Sequence, residues 1–143
     1  MAQPVFVNLA VEDVARATAF YEAIGCTKND QFSGPTASAM VFSESLTFML
    51  LHRDFFQTFT PRAVADANTV TEVLIALPLE DRAAVDALVD KAAGAGGGGD
   101  LRPVQDMGFM YGRTFTDPDG HIFEPFHMDM EAAAKAMAQA EPA

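Results

Sequence analysis

The feature that most constrains this chain is an order of elements that occurs twice. Val5 to Val11 is a short apolar run with β-branched residues and reads as a strand. Val14, Ala17, Phe20, Tyr21 and Ile24 follow at spacings of three and four, one face of a helix, with Asp13 placed to cap its start and Gly25 just past its end. Three further strands are predicted at Lys28 to Phe32, Ala39 to Ser43 and Leu46 to His52, the last two joined by a polar turn near Glu44. The order then restarts with a strand over Thr71 to Leu77 and a helix that carries Val85, Leu88, Val89 and Ala92 and ends in Gly94. Strands at Leu101 to Gln105, Phe109 to Thr116 and His121 to Met128 complete it. Phe6 and Glu72, in the two opening strands, are 66 residues apart. Half a chain of this length cannot cover its own sheet face, so the two halves, or two chains, must pack together.

This gives an α+β chain forming one domain: module one at about 5–53, a linker at about 54–68, module two at about 69–128 and an Ala-rich tail at about 129–143. Phe55, Phe56 and Phe59 suggest a short helix in the linker, and the tail is helix-prone but should fray unless it packs. Half of the 143 residues are hydrophobic and 20% are charged, the composition of a globular domain. Nine Lys and Arg stand against 20 Asp and Glu, a net charge of −11 with no basic cluster, which argues against nucleic acid as a partner. No apolar run approaches the roughly 18 residues of a membrane helix, so no membrane is expected as a partner, and the N-terminus lacks the basic start of an export signal. With Cys26 as the single cysteine, the expected location is a reducing cytoplasm, and Cys26 itself reads as a small buried hydrophobe. Gly94 to Gly99 formally satisfies a dinucleotide-binding fingerprint. The context is wrong, since these glycines end a helix and enter a strand, and they read as a flexible link.

Two motifs carry a family resemblance. Leu9-Ala10-Val11-Glu12-Asp13, followed by Phe20-Tyr21 and Gly25, and later Asp117-Pro118-Asp119-Gly120-His121-Ile122-Phe123-Glu124, resemble the vicinal oxygen chelate superfamily of glyoxalase I, bleomycin-resistance proteins and extradiol dioxygenases. The resemblance spans about residues 5–128. It implies a glyoxalase-like fold of two tandem βαβββ modules, each curling a sheet into half of an open barrel around a cavity, and a homodimer. In metal-dependent members four slots hold a divalent ion, and motif matching places them on Phe6, Leu50, Glu72 and Glu124. Glu72 and Glu124 suit a metal and are the groups that would move a proton, but Phe6 and Leu50 cannot donate, so the set is incomplete. The two histidines of a dioxygenase site are absent from their positions as well. A register slip of two would substitute Asn8 and His52, giving Asn8, His52, Glu72 and Glu124.

Each carboxylate also has a plain structural reading. If Asp117 to Gly120 closes a symmetric hairpin, Arg113 faces Glu124 as a cross-strand ion pair and Tyr111 faces Phe126, unless a bulge beside Pro125 breaks the register. Glu72 then reads as a solvated residue at a strand start. The many aromatic and Met residues are mostly core, and Phe20 and Tyr21 face the sheet. A subset, Phe6, Asn8, Leu50, His52, Phe56, Tyr111, Arg113 and Phe126, would line a cavity for an apolar or aromatic ligand, with Arg113, Glu72 and Glu124 as polar anchors. The leading expectation is therefore a small-molecule-binding protein like the bleomycin-resistance members, which sequester a ligand without a catalytic metal. The alternative is a divalent-metal-dependent lyase of the glyoxalase I type or an oxygenase, using Glu72 and Glu124. A third is a subunit whose sheet edge or tail docks a partner. The acidic surface disfavours strongly anionic substrates, unless Arg62, Arg102 or Arg113 stands close to them.

Overall fold

The structure is a computed structural model that describes residues 3–140. The first module runs β1 (Val5–Val11), α1 (Val14–Ala23), β2 (Thr27–Gly34), β3 (Ala37–Ser43) and β4 (Leu46–His52), and α2 (Arg53–Gln57) opens the linker. The second runs β5 (Leu74–Pro78), α3 (Arg82–Gly94), β6 (Gly98–Gly99), β7 (Gln105–Asp106), β8 (Met110–Gly112), β9 (Phe115–Thr116) and β10 (Ile122–Met128). Helix α4 (Met130–Ala140) follows, and the last residues of the predicted tail, 141–143, lie outside the described residues.

Both open, curled sheets follow one plan. In the first the order is β1-β4-β3-β2, with β1 parallel to β4 and the other pairs antiparallel. In the second β5 is parallel to β10, which pairs antiparallel with β8 and β9, and these in turn pair with β7 and β6. The third and second strands of this module are therefore each broken in two. Pro125, in the middle of β10, explains the first break: the Arg113 N–H donates to the Pro125 carbonyl at 3.1 Å, but proline has no N–H to return.

Asp13 caps α1 through a side-chain oxygen that accepts from the Arg16 N–H, and Gly25 leaves the helix at a φ of +109°. Helix α1 buries Ala17, Phe20 and Tyr21, and α3 buries Val85, Leu88, Val89 and Ala92. They pack with Leu9, Val11, Phe48 and Leu50 of the first sheet and Leu77, Phe115 and Phe123 of the second, so one core serves both modules. Phe123 stands at its centre, edge-on to Phe48 at 5.4 Å and to Tyr21 at 6.2 Å and stacked on Phe115 at 5.0 Å between ring centroids.

Three expectations need correction. Strand β5 begins at Leu74 rather than Thr71, because β10 begins at its partner Ile122 and offers nothing to pair with earlier residues. Leu101 to Val104 is not a strand: Asp100 turns the chain at a φ of +48°, and Pro103 lacks a ladder donor. The glycine segment is built rather than flexible. Gly98 and Gly99 pair with Thr116 and Phe115. A Cβ on Gly97 would run into the Thr116 carbonyl and stand 2.7 Å from the Phe20 ring. At the tail, Ala133 packs and is buried.

Candidate functional site

The motif Asp117 to His121 closes the hairpin that leads into β10, and its geometry decides the register. Gly120 donates to the Asp117 carbonyl at 3.1 Å and takes a φ of +93°, while Asp117 N–H donates to the His121 carbonyl at 3.0 Å. This is a three-residue loop with glycine at its left-handed position, not the symmetric hairpin expected from sequence. The pairing shifts by one residue. Tyr111 stands opposite His127, not Phe126, and Arg113 stands opposite Pro125, not Glu124.

The expected Arg113–Glu124 pair is therefore absent, and each side chain has other partners. Glu124 lies 2.7 Å from the Arg102 guanidinium. Arg113 turns to the α3 side, 2.9 Å from Asp86 and 2.7 Å from Asp100, and the Tyr111 hydroxyl donates to Asp86 at 2.6 Å. Hydrogen bonds from Tyr111 and then Arg113 hold the Asp86 carboxyl below its ordinary range, and Arg113 does the same for Asp100. Tyr111 and Arg113 brace a helix against the sheet.

A different set of residues encloses space between the modules. The edge of β1 that is not paired to β4 faces the start of β5, and the linker folds over the gap. The result is a cavity of about 380 Å³ whose walls are chiefly Val7, Leu9, Val64, Val70, Ile75 and Ile122. Of the residues expected to bind, Asn8, Phe56 and Glu72 reach it. The other seven lie elsewhere. Phe6 is 58% exposed beyond the cavity, Leu50 is fully buried in the core, and His52 caps α2 by accepting from the Asp54 N–H at 3.3 Å. Glu124 and Phe126 lie farther along β10 than Ile122 and do not line the cavity, and Tyr111 and Arg113 are at α3. Sequence reasoning missed the linker wall and His121. The motif containing His121 reads in the sequence as a family signature and a turn, with Glu124 as its functional residue.

Beside the cavity, Asp117 organises a buried network. Its side chain accepts from the Tyr21 hydroxyl at 2.7 Å, from the backbone N–H groups of Asp119 and His121 at 3.0 and 2.9 Å, and meets His121 Nδ1 at 2.8 Å. Burial first, and Asp117 second, push the Tyr21 hydroxyl well above its ordinary pKa, so it remains a donor. A second, polar cavity of about 430 Å³ adjoins the first, with Glu12, Arg16, Arg53, Asp66 and Asp119 on its walls and His121 shared between the two. Asp119 Oδ1 accepts from the Glu12 N–H at 2.9 Å, whereas Oδ2 is buried without a partner. Desolvation raises the Asp119 pKa.

The profile of the Glyoxalase/Bleomycin resistance protein/Dioxygenase superfamily matches residues 3–124. The chain belongs to this superfamily. No curated protein is similar to it in sequence. Among solved structures it resembles hypothetical protein SA1046 from S. aureus, at 28% identity and a TM-score of 0.74 over 89% of this chain and 94% of that one. A glyoxalase-related enzyme from Fulvimarina pelagi is similar at 22% identity and a TM-score of 0.73, covering 89% and 88% of the two chains. TnmS3, an antibiotic-binding protein from Streptomyces sp. CB03234, shares the fold at 18% identity and a TM-score of 0.60, covering 90% and 97%.

The superfamily's divalent-ion site is not matched by the residues present here. Phe6 faces away from the helices, but Leu50 pairs with Leu9 on the helix-facing side, so the two do not share a face. The β4 residues on the Phe6 side are Thr47, Met49 and Leu51. In the second module Glu124 pairs with Ala76, and the β5 residues on its face are Leu74, Ala76 and Pro78. Glu72 lies four residues before Ala76, roughly 13 Å away along an extended chain, and is exposed. Glu124, paired to Arg102, is the one carboxylate left on that face of the paired strands. Among the described residues no group of three or more His, Cys, Asp or Glu is placed to hold an ion. The substitute set of Asn8, His52, Glu72 and Glu124 is likewise scattered, with His52 on the helix side and engaged at α2.

Proposed function

We propose that this protein binds a small apolar or aromatic organic molecule in the inter-module cavity, without a metal ion. The observation that carries the reading is the cavity itself: about 380 Å³ of space walled by aliphatic side chains from both modules and the linker, with a few polar groups at its margin. The fold it shares with an antibiotic-binding protein supports the reading as a precedent for binding an organic molecule. The donor chemistry supports it too, since Glu124 is committed to Arg102.

We propose in addition that the protein is a cytoplasmic homodimer. No helix among the described residues is long and apolar enough to cross a membrane. Phe6 and Leu74 are 58% and 52% exposed on the sheet faces turned away from the helices, and a second copy would cover them.

The test is titration with a fluorescent apolar probe such as 1-anilinonaphthalene-8-sulfonate, followed by Ala63→Trp, which places an indole in the cavity from an exposed position on its wall. Saturable binding at one site per chain that the substitution removes is the expected result. Binding that survives it at full affinity overturns the assignment of the cavity.

A further inference from the structure

The cavity is apolar, yet one polar group on its wall differs from the rest. Asn8, Arg62, Thr71 and Glu72 are exposed, and the half-buried Thr60 hydroxyl accepts from the Arg62 N–H at 3.1 Å within the linker. His121 is held in place, with a side chain only 16% exposed and its Nδ1 2.8 Å from the buried carboxylate of Asp117. That carboxylate also accepts from the Tyr21 hydroxyl and two backbone N–H groups, so its oxygens are surrounded by donors. A carboxylate in that setting accepts, so a neutral imidazole carries its hydrogen on Nδ1. Nε2, at the opposite edge of the ring, is then a bare acceptor.

Where Nε2 points follows from the count of satisfied atoms. It has no hydrogen-bond partner among the described residues. The one buried side-chain polar atom without a partner there is Asp119 Oδ2, so Nε2 is not closed off inside the protein. It opens onto the space that His121 lines, where the apolar cavity, with Leu9, Ile75 and Ile122 among its walls, adjoins the polar one. An acceptor fixed by a buried carboxylate and set against aliphatic walls discriminates strongly, because a ligand that displaces its water must supply a donor in return.

We infer that the ligand is an apolar ring compound bearing a hydroxyl group, of the phenol or naphthol class, whose O–H donates to His121 Nε2 while the ring fills the aliphatic cavity. This rests on the cavity reading above and adds the one polar contact that orients the guest. Asp117 and Tyr21 are positioning residues, since they act through the imidazole.

The experiment compares 2-naphthol with its methyl ether, 2-methoxynaphthalene, which retains the ring system and lacks the donor. On the unmodified protein naphthol should bind about five- to tenfold more tightly, the effect of one hydrogen bond to a fixed acceptor. In His121→Phe the preference should fall to about one while the ether binds as before. Nitrogen-15 NMR of the unmodified protein provides a readout that does not depend on the variant folding. His121 should show hydrogen on Nδ1 and a bare Nε2, whose resonance moves on adding naphthol and stays in place on adding the ether. Equal binding of the two compounds, or an Nε2 that carries the hydrogen or ignores naphthol, overturns the hydroxyl assignment and leaves the cavity reading intact. Failure of both compounds to bind overturns the two together.

Discussion

The Tyr21 hydroxyl donates to Asp117 Oδ2 at 2.7 Å, a bond between residues 96 apart that ties the helix of the first module to the hairpin of the second. Both side chains are buried, and the tyrosine ring packs edge-on against Phe20, Phe48 and Phe123. Tyr21→Phe retains that packing and removes one donor from a buried carboxylate. The expected loss is about 1.5–3 kcal/mol, the range for hydrogen bonds to charged groups, measured as a lower urea midpoint with an unchanged slope. A midpoint equal to that of the parent would show that the bond contributes nothing net.

Gly97 and Gly94 make a matched pair. Nothing lies within 4 Å of a Cβ on Gly94, at the end of α3, whereas one on Gly97 meets the Thr116 backbone and the Phe20 ring. Gly97→Ala should destabilise by about 1–3 kcal/mol, as forced overpacking does, and Gly94→Ala should be neutral or stabilising by up to about 1 kcal/mol. Thermal melts of the two variants side by side give the answer, and equal melts would mean that the close approach at Gly97 relaxes freely.

Asp119 sits with its pKa raised by desolvation, with Asp117 beside it adding to the rise. A carboxyl whose folded pKa exceeds its unfolded one costs stability when ionised; the cost appears as pH rises through the folded value and is absent below the unfolded one. Asp119→Asn retains the acceptor for the Glu12 N–H and removes the charge. The half-exposed Arg16, 3.5 Å away, loses little. The variant should melt higher than the parent near pH 7 and level with it near about pH 3, where both are neutral. A gain that persists unchanged to acid pH would place its origin outside ionisation.

Cys26 is buried, and that burial pushes its thiol up to about 12. It should therefore resist a disulfide reagent such as 5,5′-dithiobis(2-nitrobenzoate) in native buffer and react at one equivalent per chain in denaturant. Rapid labelling of the native protein would contradict the packing described for that site.

Because the superfamily's ion-binding slots carry Phe6, Leu50 and the Arg102-paired Glu124, elemental analysis after growth in metal-supplemented medium should find Ni, Zn, Mn and Fe well below one equivalent. Glu124→Gln should leave apolar-probe affinity unchanged, since Glu124 does not line the cavity. One equivalent of metal, lost on that substitution, would restore the lyase or oxygenase reading.

Much of the architecture was legible because it follows from short-range rules. The apolar spacing of α1 and the Asp13 cap fixed that helix to within one residue, and β1 and β4 span the apolar runs Val5 to Val11 and Leu46 to His52. The site was less legible, since it depends on register, and register turned on a single residue. The sequence Asp-Pro-Asp-Gly admits both a symmetric hairpin and a three-residue loop, and the choice moves every cross-strand partner of β10 by one place. Leu50 was placed in the cavity by counting from a motif, although its register with Leu9 puts it on the core side. Asn8, Phe56 and Glu72 lie at the cavity because they flank the gap between modules, but the roof formed by residues 60–73 has no periodic signal from which its path could be read.

The rings of Phe48, Tyr21 and Phe123 meet across the boundary of the repeat, so the two halves have no separate interiors. Expressed alone, either half would present an open oily surface and aggregate. Cleavage within the roof strap, by contrast, would leave both pieces clasped together, and a nicked molecule would travel and melt as a unit. The two modules behave as one indivisible folding cooperative.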